Sequence, residues 1–178
     1  GDYNVDGNID ILAAGRPSVL TGYWKLDENS GTSAADSSGN GKTGTLTNGP
    51  TWTTGKYGSG VSFDGVDDNI HMSDTVNYQT GTVSVWVNPN FSKGSHLQVN
   101  PFYINNGGCD KIYMEYETWT NTINFYARGA CGTTLQASTG IVSDATLQQW
   151  QHVVGVWDKN SGVWLYVNGV LVSSASGT

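Results

Sequence analysis

An all-β fold, two antiparallel sheets packed as a jelly-roll sandwich, is predicted by three features of the chain. Residues Val163 to Val172 read Val-Trp-Leu-Tyr-Val-Asn-Gly-Val-Leu-Val, two alternating strands around an Asn-Gly pair that tolerates the positive φ angles of a tight hairpin. Just upstream, Trp150-Gln-His-Val-Val-Gly-Val-Trp157 alternates in the same way and makes the segment a meander. The remainder is a succession of short alternating runs parted by turns, for which the 24 glycines of the 178 residues supply the flexible points.

In chain order, strands are predicted near 22–26, 44–47, 60–64, 68–72, 82–88, 101–105, 111–117, 122–128, 133–137, 150–158, 162–167 and 170–174. Helical period is confined to one turn at Asp144 to Gln149. The runs Lys111 to Glu117 and Thr122 to Arg128 form a hairpin about Thr118-Trp119-Thr120-Asn121, in a register that sets Glu115 opposite Asn124. One phase of the strands holds Val83, Val85, Val87, Ile112, Met114, Tyr116, Ile123, Phe125, Val163, Leu165 and Val167, the expected core. The other phase holds Trp86, Tyr113, Glu115, Asn124, Tyr126, Arg128, Trp164 and Tyr166.

Composition narrows the functional classes. A net charge of -7 and eight Lys and Arg scattered without a basic stripe argue against nucleic acid as a partner. No apolar run reaches about 18 residues, so no membrane span is expected, and no signal peptide is seen, as in a mature chain. Cys109 and Cys131 flank the open end of the predicted hairpin. The register places Cys109 opposite Ala130, so a disulfide requires a bulge at Gly108, Gly129 or Gly132; the other reading is two half-buried thiols. A disulfide would imply an oxidising, extracellular setting.

Residues 1–20 differ in style from the rest. Asp2, Asn4, Asp6, Asn8 and Asp10 place oxygen side chains at positions 1, 3, 5, 7 and 9 of a loop with Gly7 at the sharp turn, the spacing of a Ca2+ loop. Position 12 is Ala13, so a bidentate carboxylate is missing, and Asx-turns without metal are the other reading. The pattern resembles calcium loops of bacterial surface repeats. We therefore expect a calcium-type loop and linker over 1–20, the remnant of a preceding repeat, and a sandwich domain over 21–178.

Eight fragments carry a broader resemblance: Gly22-Tyr-Trp-Lys-Leu-Asp-Glu28, Asp36-Ser-Ser-Gly-Asn-Gly41, Thr43-Gly-Thr-Leu46, Gly55-Lys-Tyr-Gly58, Val61-Ser-Phe-Asp-Gly-Val-Asp-Asp68, Thr82-Val-Ser-Val-Trp-Val87, Trp150-Gln-His152 and Leu165-Tyr-Val-Asn-Gly169. Their order resembles the laminin-G-like (LamG, concanavalin A-like lectin/glucanase) jelly-roll domains of bacterial surface proteins, over about residues 22 to 175. The resemblance implies two packed antiparallel sheets, a frequent structural calcium, and roles in glycan binding or adhesion. Such domains usually continue into a strand of the type G-x-I-D-E-V-R beside the first strand. The chain as given has none, so we expect an open sheet edge, which Asn8-Ile-Asp-Ile-Leu12 or another molecule would complete.

Candidate sites follow. Asp36 and Asn40 in one loop, and Asp64, Asp67 and Asp68 in another, offer hard oxygen donors suited to calcium, or else simply form turns. Trp86, Tyr113, Glu115, Asn124, Tyr126, Trp164 and Tyr166 combine flat rings with amide and carboxylate groups, as a pyranose requires, unless loops cover the tryptophans. His152 reads as an internal hydrogen-bonder rather than a base. Glu115 and Glu117 point to the same side of one strand, a spacing that admits a glycosidase pair. Glucanases of the resembled fold place a further carboxylate between acid and nucleophile, and none stands here.

The sequence thus leads us to expect a secreted or cell-surface, non-catalytic carbohydrate-binding or adhesion module stabilised by calcium, with a glycan or cell-surface polysaccharide as partner. The alternative is a structural or assembly subunit of a surface filament or stalk, self-assembling through its open edge. A retaining glycosidase is the remote third reading.

Overall fold

The computed structural model describes residues 20–72, 78–90, 98–105, 110–120, 122–129, 133–139 and 148–176. The calcium-type loop expected at Asp2 to Asp10 and the Cys109–Cys131 bridge lie outside these residues, as does most of the turn at Asp144 to Gln149.

The strands are β1 (Ser33–Ala34), β2 (Gly44–Thr47), β3 (Thr51–Thr54), β4 (Ser59–Ser62), β5 (Asn69–His71), β6 (Thr80–Val87), β7 (Gln98–Asn105), β8 (Lys111–Glu117), β9 (Thr122–Gly129), β10 (Thr133–Ser138), β11 (Gln151–Asp158), β12 (Gly162–Val167) and β13 (Val170–Ser176). They form two four-stranded antiparallel sheets, ordered β10-β9-β8-β7 and β13-β12-β11-β6, with a three-stranded sheet β1-β2-β5 and the pair β3-β4. This is the predicted all-β jelly-roll architecture.

Alternation builds the sandwich. Ile112, Met114, Tyr116, Ile123 and Phe125 of one sheet share a single buried cluster with Val153, Trp157, Val163 and Leu165 of the other, and Val83, Val85, Val87 and Val167 pack against it. Burying such a set is the main term holding the sheets together, roughly 1.5–3 kcal/mol per large apolar side chain. Trp157, absent from the expected core, is among the largest fully buried side chains and meets Phe125 at 6.3 Å between ring centroids. Gly155 makes room for that pair: a Cβ there would lie 2.3 Å from the Phe125 ring.

The hairpin at Asn168-Gly169 forms as read, with φ of 51° and 80° and Val167 opposite Val170. Glu115 stands opposite Asn124, the expected register. The strand expected at 22–26 does not form; only Trp24 makes an isolated bridge, to Asp36. Two effects prevent it. The Tyr23 amide donates to the Asp36 carboxylate rather than to a ladder, and Leu26 adopts a φ of 61°, which ends any extended run. Conversely, β3 escaped prediction because Thr51-Trp-Thr-Thr54 lies directly after the turn residues Asn48-Gly-Pro50.

Candidate binding site

The outward phase of β7–β10 makes an ordered grid. Tyr103, Tyr113, Tyr126 and Gln136 stand opposite one another on four adjacent strands. Tyr113 stacks on Tyr126 at 4.4 Å with 17° between planes, and Tyr103 leans on Tyr113 at 5.9 Å and 48°. Because the strands are about 4.8 Å apart, successive rings on one face meet at stacking distance. Tyr103 is 50% exposed, so the row ends in an open ring.

Polar residues border the rings on both sides. Two residues along β8 in one direction, Lys111 stands opposite Arg128; in the other, Glu115 stands opposite Asn124. Asn100, Tyr103, Lys111, Tyr113, Glu115 and Arg128 line a shallow open pocket of about 200 Å³. Glu115 is only 5% exposed and accepts a hydrogen bond from the Tyr126 hydroxyl. Burial raises the Tyr126 phenol well above its ordinary value, and the Glu115 and Glu117 charges add to this. Burial and Glu115 raise Tyr113 as well, against a lowering by Arg128. Both phenols therefore remain protonated donors at neutral pH. Asn124 is buried and accepts from the Ser138 hydroxyl and, at 3.4 Å, from Gln136 Nε2, which holds it as a support behind the pocket. Glu117 accepts from Thr120 Oγ1 at 2.8 Å.

Trp86, Trp164 and Tyr166 belong to the other sheet and project from its outer face, on the far side of the core. The seven residues expected to bind sugar thus divide between opposite faces. Trp86 stacks on His152 at 4.9 Å and meets Tyr57 edge-on at 5.6 Å, with the Lys56 ammonium 5.4 Å over its ring. A ring engaged in this way offers little face to a sugar. His152 Nε2 lies 2.7 Å from Ser84 Oγ, and burial lowers its basicity, which fits the internal role read from the sequence. Trp164 and Tyr166 are half-buried on β12.

The acidic loops also divide. The Asp36 carboxylate accepts from Ser38 Oγ and from the backbone amides of Tyr23, Ser38 and Lys42, at 2.8–2.9 Å. Desolvation would raise it, but these hydrogen bonds outweigh that and hold it far below the usual carboxylate range. Asn40 spends its amide on the Leu20 and Thr21 carbonyls and on Ser38 Oγ. Both residues organise the loop from within. Asp64, Asp67 and Asp68 do converge, with a carboxylate oxygen of each within 4.8 Å of the others. Asp64 and Asp68 each accept one backbone amide, from Val66 and Asp64 respectively.

Tyr103, Lys111, Asn100 and Arg128 were missing from the expected site, although Arg128 was read on the outward phase. Tyr103 shares the outward phase of its strand with Asn105, but a register shift between Val99 and Phe102 hides the relation to Asn100 in the sequence.

Residues 64–178 match the sequence profile of a laminin G family described as the concanavalin A-like lectin/glucanases superfamily. The chain belongs to this superfamily. Solved structures similar to this LamG-like chain include the binding domain of Paraclostridial Mosquitocidal Protein 1, with 17% identity, a TM-score of 0.64, and coverage of 85% of this chain and 41% of that one. The binding domain of Botulinum Neurotoxin DC in complex with SialylT gives 13% identity, a TM-score of 0.63 and coverage of 86% and 41%. An S-layer domain-containing protein (residues 221–444) from Clostridium thermocellum gives 20% identity, a TM-score of 0.57 and coverage of 88% and 72%. At these identities the likeness concerns the fold, and the chain spans less than half the length of the two toxin binding domains. No curated protein matches it significantly. Among the described residues no helix is long and apolar enough to cross a membrane.

Proposed function

We propose that this LamG-like chain is a non-catalytic carbohydrate-binding module acting outside the cell or at its surface, and that it binds on the outer face of β7–β10. One observation carries the reading: the Tyr103-Tyr113-Tyr126 row is flanked by hydrogen-bonding side chains and reaches an open pocket through Tyr103 and Tyr113. A pyranose stacks its C–H face on the open Tyr103 ring that ends the row, while its hydroxyls meet Glu115, Asn100 and the Tyr113 phenol. The toxin binding domains and the S-layer protein of like fold support a binding role and a surface setting. A glycan array probed with the whole chain in buffered calcium chloride tests the proposal: hits that Tyr113→Ala removes are expected, and an array without hits would refute it.

Calcium belongs to the same proposal as a stabiliser, held by Asp64, Asp67 and Asp68. Three converging carboxylates of like charge suit a hard cation, each keeping an oxygen not used by the backbone amides. They supply only part of the 6–8 oxygens calcium takes, so backbone carbonyls and water would complete the shell.

A second reading, assembly through a sheet edge, is favoured by β13. It ladders to β12, and Val170, Leu171 and Val172 at its start are 63%, 50% and 41% exposed. Concentration-dependent sedimentation abolished by Leu171→Lys would support it; an unchanging monomer would remove it.

A further inference from the structure

The polarity of the tyrosine face points to a particular class of sugar. We propose that it takes a pyranose bearing a carboxylate, oriented with its anion on Lys111 and Arg128 and its hydroxyls toward Glu115. The inference rests on the carbohydrate-binding reading above.

Lys111 and Arg128 stand directly opposite each other on β8 and β9. Like charges so placed destabilise a sheet pair, and an anion between them removes the repulsion. Among the described residues neither cation forms an ion pair: the Lys111 ammonium lies 5.9 Å over the Tyr103 ring, and Arg128 Nε donates to Thr134 Oγ1 at 3.3 Å. The chain carries only eight Lys and Arg against fifteen Asp and Glu, yet two of these cations line one small pocket. That juxtaposition is selective for an anion that also fits the rings.

The spacing fixes the orientation. Lys111, Tyr113 and Glu115 follow at every second residue of β8, each step about 7 Å along the strand. One pyranose seated on the open Tyr103 ring, opposite Tyr113, therefore reaches the cations with a ring substituent on one side and Glu115 on the other. Glu115 would repel a carboxylate at its own end and accept from hydroxyls there. A guanidinium and an ammonium, by contrast, form charge-assisted hydrogen bonds to a carboxylate. Hexuronic acids and nonulosonic acids share this chemistry.

The test is a ligand-observed NMR titration of the whole chain with methyl glucuronide against methyl glucoside, and with sialyllactose against lactose, at low salt. The acidic member of at least one pair should bind about tenfold more tightly, the gain of one charge-assisted hydrogen bond. Preference in the first pair assigns a hexuronic acid and in the second a nonulosonic acid. In the Lys111→Gln/Arg128→Gln variant the ratio should fall toward one while the melting temperature is retained. Equal binding of acidic and neutral sugars overturns the inference and leaves the carbohydrate-binding reading standing. So does an acidic preference that survives the double variant. Absence of binding by every probe also overturns it, and the array above, with its neutral and acidic glycans, decides the underlying reading separately.

Discussion

Tyr113 and Tyr126 face each other across β8 and β9 with their rings 4.4 Å apart and nearly parallel, and the Tyr126 hydroxyl is hydrogen-bonded to Glu115. The pair ties ring orientation to carboxylate position on the face of the sheet away from the core. Tyr126 is locked as the base of the row, and Tyr113, stacked between it and Tyr103, lines the pocket with its outer edge. Tyr126→Phe should therefore leave the stack in place but destabilise the folded domain. We expect a loss of about 1–3 kcal/mol in denaturant unfolding, the cost of leaving a buried acceptor without this donor, and unchanged stability would contradict the assignment.

Gly155 and Phe125 are matched across the core. Gly155→Ala sets a methyl 2.3 Å from the Phe125 ring and should destabilise the domain by about 1–3 kcal/mol in denaturant unfolding. Phe125→Leu in the same chain should recover part of that loss. Equal stability of Gly155→Ala and wild type would show that the ring moves freely.

His152 gives stability a pH dependence. Burial lowers its pKa from 6.5, so below that pH the unfolded chain binds more protons than the folded one. Stability should fall as pH drops from about 6.5, and His152→Gln should flatten the melting temperature in that window relative to wild type. Parallel curves for the two proteins would contradict the assignment.

Asp36 acts in a more acidic range. Its folded pKa is depressed below 3.8, so its contribution is present above that value and lost as pH falls from it. Asp36→Asn should lower the melting temperature at neutral pH, since an amide cannot accept from every donor around the carboxylate. A melting temperature unaffected by the substitution would mean that the loop holds without the carboxylate.

The sandwich was legible because its core strands alternate strictly: the phase containing Ile112, Met114, Ile123 and Phe125 is the one that enters the core between the sheets, and Asn168-Gly169 turns as its φ preferences require. Period-two reading gives the face of a residue but not the sheet it belongs to. Trp86 and Trp164 therefore looked equivalent to Tyr113, although a packed core separates them. Asn100 was hidden by the irregular register between Val99 and Phe102. The segment 22–26 misled because its composition is strand-like, whereas the Asp36 side chain, 13 residues away from Tyr23, captures its amide. Such a long-range side-chain bond leaves no local periodic trace.

The central claim, that the tyrosine face of β7–β10 binds sugar, is tested most directly by comparing wild type, Tyr113→Ala and Trp164→Ala on one glycan array, with melting temperatures recorded alongside. Tyr113→Ala should lose about 1–3 kcal/mol of affinity for every hit, the value of one buried ring, while Trp164→Ala keeps the hits. Binding lost in Trp164→Ala and retained in Tyr113→Ala, with both proteins folded, would place the site on the opposite sheet and contradict the account.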